Sequence, residues 1–170
     1  MAEDGYLGSW ELYQGMFGDL DDCFVVSIGT RDLSGIFSYQ DINKIFTEYL
    51  PLLEAEGYRV DMSRLHLIGL SNGGSASDVA LRSFSDRFQS IVYISTLCNV
   101  VKRSHAKVLL IGGGKNASSS NLPSASRQLQ RCGTKTALLF DDDENHYIFV
   151  HQKKRIIDFL RQEMLLVGTD

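Results

Sequence analysis

Five short apolar runs rich in β-branched residues punctuate this chain: CFVVSIG (Cys23 to Gly29), LHLIGL (Leu65 to Leu70), SIVYIS (Ser90 to Ser95), AKVLLIG (Ala106 to Gly112) and TKTALLF (Thr134 to Phe140). Runs of this kind, apolar almost without alternation, are what strands buried on both faces require. The stretches between them carry helical spacing instead. From Tyr39 to Glu56 the apolar positions Ile42, Phe46, Tyr49 and Leu53 form one stripe that closes at Gly57, and Pro51 inside it predicts a kink or an early break. NGGSASDVALRSF predicts a helix with Ala76, Val79 and Ala80 inward. A shorter helix is expected from about Ser124 to Cys132, with Ala125, Leu129 and Cys132 on one side and Gly133 ending it. The last, from about Tyr147 to Leu166, buries Ile157, Leu160 and Met164. Strands alternating with helices imply a parallel sheet covered on both faces, in one domain spanning 1–170 with residues 1–22 as an irregular lead-in. NASSSNLPSAS reads as a long, mobile connection between a strand and a helix.

Composition narrows the function classes. With 44% apolar and 22% charged residues in 170, the chain is an ordinary globular domain that buries roughly two thirds of its unfolded surface without disulfides or metal. A net charge of −4 argues against nucleic acid as a partner. Lys102 with Arg103, and Lys153 to Arg155, read as solvated faces. Cys23, Cys98 and Cys132 are odd in number, far apart and set in apolar sequence, so buried thiols in a reducing compartment are expected. No Cys-x-x-Cys or histidine-rich spacing points to a metal. No stretch has the length or character of a signal peptide or a membrane span, so the expected location is cytoplasmic and no membrane partner is expected.

Two glycine-rich turns compete for the chemistry. Gly69-Leu70-Ser71-Asn72-Gly73 fits G-x-S-x-G, a pattern that is weak on its own in a chain with 15 glycines but is placed here between an expected strand and an expected helix. That context is the one in which a serine hydroxyl is lifted above the sheet edge by a tight turn, beside the electropositive start of a helix. Small residues two before and two after the serine are expected to keep Cβ atoms from colliding. The bland alternative is a glycine bend for close packing. Gly112-Gly113-Gly114-Lys115-Asn116-Ala117 fits G-x-G-x-x-A, with Asp141 as a conceivable ribose ligand, but a dinucleotide site needs its helix to start inside the glycines, and SSSNLPS intervenes. No nucleotide or other cofactor is therefore expected.

With these motifs in place, the sequence from about Cys23 to Leu166 resembles an α/β-hydrolase. VDMSRLHLIGLSNGGSASDVAL is similar to the esterase and depolymerase-like members, where an aspartate and a basic residue precede the nucleophile strand. The resemblance implies a minimal or N-terminally truncated member: an α/β three-layer sandwich whose mostly parallel sheet has five or six strands. In the family the triad runs serine, acid, histidine. Ser71 matches the nucleophile, and His146, after the last strand, matches the histidine. The family's Gly-His is Asn145-His146 here. His66, His105 and His151 lie in the wrong elements.

The family's acid, a few residues after the fourth strand, falls on Asn116, which can orient an imidazole but cannot offer it a charge. Asp141, Asp142, Asp143 or Glu144 in the histidine's own loop could supply the carboxylate instead, with Asp143 the alternative acid. The Asn72 amide is the expected first oxyanion donor. Gly29 or Thr30 is the second if Cys23 to Gly29 is the strand beside the nucleophile strand. Between the third and fourth strands only TLCNVVKRSH stands where many relatives insert a lid, so an open site for a bulky ester is expected. The resemblance thus implies a serine hydrolase acting on a small-molecule or acylated ester or thioester; the alternative is a hydrolase-like domain that binds without turnover.

Overall fold

Four of the five apolar runs pair. In a computed structural model, described here over residues 13–18 and 23–165, they form β1 (His66–Leu70), β2 (Ser90–Ile94), β3 (Lys107–Gly113) and β4 (Thr136–Asp141). All neighbours are parallel and the order is β1-β2-β3-β4, with Leu70 opposite Ile94, Ile94 opposite Ile111, and Gly113 opposite Asp141. The strand exits are therefore aligned along one edge.

The helices are α1 (Tyr39–Lys44), α2 (Leu50–Ala55), α3 (Gly74–Ser83), α4 (Leu122–Arg131), α5 (Ile148–His151) and α6 (Lys153–Leu160). Strand periodicity assigns each side chain to a face. Leu67, Ile91, Tyr93, Val108 and Leu110 pack with Ile42, Ala80 and Leu129 from α1, α3 and α4. Leu70, Val92, Ile94, Leu109 and Ile111 pack with Ile148, Ile156 and Leu160 from α5 and α6. Each fully buried aliphatic side chain contributes about 2 kcal/mol of transfer free energy, so β2 and β3, enclosed on both faces, anchor the core.

The expected strand at Cys23 to Gly29 does not form. Those residues belong to no strand, and Phe24, Val25 and Val26 are exposed. An apolar run records a preference for a half-buried pleat, and that preference has no outlet without a paired neighbour. Hence the described sheet has four strands rather than five or six, and β1 is an edge. Residues 13–17, expected to be irregular, are helical and bury Met16 and Phe17 against the α6 face; the rest of the lead-in lies outside the described residues.

Local chemistry explains the other departures. Pro51 does not end its helix; the regular turns are interrupted just before it, where α1 passes into α2 through a wide turn, Ile45–Tyr49, in which the Leu50 N–H donates to the Ile45 carbonyl five residues back. Proline has no N–H and its ring would strike the carbonyl four residues earlier, and the wider turn accommodates both. α1 begins at a reciprocal cap, with Ser38 Oγ accepting from the Asp41 N–H and Asp41 Oδ2 accepting from the Ser38 N–H. The connection expected to be long and mobile is short and folded, because Asn116 caps a 3₁₀ turn, Ala117–Ser119, that buries Ser119. Of the thiols expected to be buried, only Cys98 is; Cys23 and Cys132 are exposed, since α4 ends at Arg131 and Cys132 turns outward before Gly133 at φ +81°. No helix among the described residues is long and apolar enough to cross a membrane, and among them no group of three or more metal-ligating side chains comes together.

Candidate active site

The edge formed by the strand exits collects the residues singled out by sequence, and Ser71 leads. It follows β1 directly and opens a 3₁₀ turn, Ser71–Gly73, that runs into α3. Its φ is +53°, the left-handed region that a residue with a Cβ enters at a cost of about 1 kcal/mol or more. The sequence supports this turn from beneath. A Cβ at Gly69 would lie 2.3 Å from the Gly73 carbonyl oxygen and 2.3 Å from Ser77 Oγ. Ser77 is itself pinned by its hydroxyl donating to the Val92 carbonyl at 2.7 Å. Glycine at 69 is thus a steric requirement. Gly73 is not, for a Cβ there would meet nothing within 4 Å; the close approach on that side belongs to Gly74, which faces the Thr96 side chain. The expected clearance therefore holds before the serine and is displaced by one residue after it.

Asn72, next after Ser71, is exposed, and the chain near it is not the one expected. Gly29 lies in the segment that forms no strand. The backbone at Gly35 (φ +74°) approaches Asn72 instead, where a Cβ would sit 3.2 Å from Asn72 Nδ2. Ser75 holds this strap down: its hydroxyl accepts from the Phe37 N–H at 3.0 Å and donates to the Asn72 carbonyl at 2.8 Å. Thr30 Oγ1 donates to Asp41 Oδ2 at 3.1 Å, fixing the other end of the strap to α1.

His146 comes from the far side of the sheet, in the loop after β4, and is half-buried with its ring edge-on to Tyr147 and Phe149. β4 is three strands from β1, about 14 Å at the usual spacing, so the loop must return over β3 and β2. Over β3 it lies against glycine: a Cβ at Gly113 would be 2.3 Å from the Glu144 carbonyl oxygen. The Lys115 N–H donates to that same carbonyl at 2.9 Å and the Gly114 N–H to the Asp141 carbonyl at 2.9 Å. Over β2 the Ser95 hydroxyl donates to the His146 carbonyl at 2.8 Å. No hydrogen bond joins Ser71 Oγ to the His146 ring among the described residues; pairs of this kind often close only around substrate.

The candidate acids are engaged to different degrees. Asn116 is buried and inward on its own turn, Oδ1 accepting from the Ser118 N–H at 3.1 Å and Nδ2 donating to Ser119 Oγ at 2.8 Å. Asp141 accepts from the Asp143 N–H and from Arg155 and Gln152, and Glu144 accepts from Gln152 and His151; the side-chain contacts lock the β4 exit to the junction of α5 and α6. The Asp143 N–H first, then Arg155 and Gln152, hold the Asp141 carboxyl below the usual range, and Gln152 and His151 do the same for Glu144. Asp143 makes a 3.2 Å ion pair with Lys115 in which both side chains are largely exposed. Among the described residues no carboxylate is hydrogen-bonded to His146. The second histidine of this region, His151, pairs with Glu144 at 3.0 Å, a contact that no spacing in the sequence announced.

No protein-family model matches the sequence, and no curated protein matches it by sequence comparison. Solved structures do match by shape. The acylaminoacyl peptidase of Pyrococcus horikoshii is similar over 73% of this chain and 28% of its own, with a TM-score of 0.58 at 16% identity. The Bacillus cereus carboxylesterase is similar over 92% of this chain and 82% of its own, with a TM-score of 0.58 at 14% identity. Porphyromonas gingivalis dipeptidyl peptidase 4 is similar over 68% of this chain and 22% of its own, with a TM-score of 0.53 at 15% identity. The chain spans little more than a quarter of the peptidase from Pyrococcus but most of the carboxylesterase. Identities this low speak to architecture, and the architecture they share with these four parallel strands and their flanking helices is the α/β-hydrolase fold.

Proposed function

We propose that the protein is a serine hydrolase that cleaves an ester or thioester through an acyl-enzyme on Ser71. The observation that carries this reading is the left-handed serine, φ +53°, on a strand-turn-helix whose preceding glycine cannot be replaced without collision. Ser71 Oγ attacks the carbonyl carbon and transfers its proton to the His146 imidazole. The Asn72 amide donates to the oxyanion, and His146 returns the proton to the leaving group; water then repeats the sequence to release the acid. Asp143 is the proposed partner of His146, because its exposed pair with Lys115 is worth little and is cheaply broken. Asn116, by contrast, has both side-chain atoms committed to its own turn. The absence of an inserted lid between β2 and β3 supports an open site and a bulky or surface-borne acyl substrate; the location we assign is cytoplasmic.

A second reading, a binding domain without turnover, is favoured by one specific observation: the buried amide of Asn116 where the family resemblance places the acid, with no carboxylate hydrogen-bonded to the His146 ring among the described residues. A fluorophosphonate probe separates the two. Folded protein should be labelled at Ser71 and the Ser71→Ala variant should not. Absence of labelling in folded wild-type protein would remove the hydrolase reading.

A further inference from the structure

We propose that Ser95 is the positioning residue for His146, tying the loop that carries the imidazole to the strand exit next to Ser71. The proposal rests on the reading of His146 as the base. Leu70 and Ile94 are register partners on strands about 4.8 Å apart, so Ser71 and Ser95 are each the first residue beyond the last paired position of neighbouring strands. Both have φ +53°, and they are the non-glycine residues with positive φ among those described. Ser71 is half-buried, whereas Ser95 is fully buried and cannot meet a substrate.

What Ser95 does instead is defined by its two hydrogen bonds. Its N–H extends the sheet by donating to the Ile111 carbonyl at 2.9 Å, which fixes its backbone on β3. Its hydroxyl is left to donate to the His146 carbonyl at 2.8 Å, across 51 positions of sequence. The other backbone tethers of that loop, through Gly114 and Lys115, hold Asp141 and Glu144 over β3 and stop two residues short of the histidine. Among the described residues, only the Ser95 hydroxyl makes a hydrogen bond to residue 146 itself, and it does so over the strand adjacent to Ser71. Glycine would suit this left-handed backbone better than serine; what serine adds is the hydroxyl, and the hydroxyl is spent on the histidine.

Ser95→Gly tests this because it removes the hydroxyl while relieving the backbone. A purely structural role predicts a less stable protein with an unchanged site. Positioning predicts the reverse: a thermal midpoint close to wild type, with fluorophosphonate labelling of Ser71 slower by at least about tenfold. A second measurement does not need activity. In histidine-labelled folded protein the His146 ring resonances should be sharp in wild type and broadened or doubled in Ser95→Gly, with those of His66 and His105 unchanged. Ser95→Ala, which keeps the backbone cost and loses the hydroxyl, should give the same spectrum and serves if the glycine variant does not fold. Labelling at the wild-type rate, or unaltered His146 resonances in either variant, would overturn the proposal. If wild-type protein is not labelled, the hydrolase reading falls and the ring resonances decide the tether by the same two outcomes.

Discussion

Replacing Gly69 by alanine introduces one methyl group two residues before Ser71, and the surroundings specify its effect. The new Cβ would stand 2.3 Å from the Gly73 carbonyl oxygen, 2.7 Å from the Gly73 carbonyl carbon and 2.3 Å from Ser77 Oγ. Ordinary contact begins near 3.4 Å, so a displacement of about 1 Å is required. Neither obstacle yields cheaply. The Gly73 carbonyl belongs to the turn that carries Ser71, and the Ser77 hydroxyl cannot rotate away without leaving the Val92 carbonyl, in a place where Ser77 is fully buried. Overpacking costs about 1–3 kcal/mol and the strained or lost hydrogen bond about 1 kcal/mol more, together about 3 kcal/mol. For a chain of 170 residues that is a fall of roughly 6–12 °C in Tm. Because a shift of about 1 Å at a nucleophile costs on the order of 100-fold in rate, labelling by fluorophosphonate should slow by about that factor at a temperature where the variant is folded. Gly73→Ala is the control: its Cβ enters open space at φ −62°, an ordinary helical angle, so it should be neutral or gain about 0.5 kcal/mol by restricting the unfolded chain. If Gly69→Ala and Gly73→Ala proved alike in Tm and labelling, the steric account of this turn would be refuted.

Two further predictions concern charge. Burial lowers the His66 ring to about 4, with Arg64 adding to the shift, while its Nδ1 meets Ser90 Oγ at 2.8 Å. The unfolded chain therefore takes up a proton near pH 6.5 that the folded chain refuses: the stability is fully present above about 6.5 and is lost as pH falls through the window down to about 4. Between pH 7 and pH 5 the loss should be about 2 kcal/mol, and denaturant titrations of His66→Phe at the two pH values should show that loss removed; equal pH dependence in both proteins would exclude it. At the other end of the sheet, Asp143→Asn should lower labelling and ester turnover by at least about tenfold, whereas Asn116→Asp should leave both unchanged, because its carboxylate keeps the bond from the Ser118 N–H and the Ser119 hydroxyl, which now accepts from Nδ2, can turn to donate to it. The opposite pair of results would move the acid to the position after β3.

Much of the fold was legible because strands buried on both faces and helices with one apolar stripe leave different periods. LHLIGL, SIVYIS, AKVLLIG and TKTALLF become β1 to β4 within one or two residues of their expected bounds. CFVVSIG has the same character and forms no strand, because composition reports what a segment tolerates and pairing depends on a neighbour elsewhere in the chain. The serine turn was legible too, since strand, glycine, serine and helix are contiguous. Contacts between strand exits were not. Ser95 reads as the polar end of an apolar run, Gly35 as one more loop glycine, and Glu144 with His151 as members of a charged stretch; each acquires its role from register or from a return of chain over the sheet.

The same register explains why rigidity and chemistry are distributed as they are. A parallel sheet delivers all its exits to one edge, but neighbouring exits are only about 4.8 Å apart and the residues that must meet come from its two ends. The turn after β1 must be sharp, and a left-handed serine over Gly69 makes it so; the loop after β4 must lie low over β3, and Gly113 admits it there. Both devices act on backbone and are surrounded by buried atoms, so neither adjusts independently of the core. The carboxylate has no such support. Asp143 sits on an exposed side chain paired with an exposed lysine, in a loop whose other acids are tied to the junction of α5 and α6. The proposed nucleophile and base are therefore set by the sheet, while the proposed charge behind His146 is set by surface electrostatics that salt screens over about 10 Å. A site built this way keeps its geometry through substitutions that change its rate, which is why probe labelling, stability and histidine resonances must be read together on the same variants.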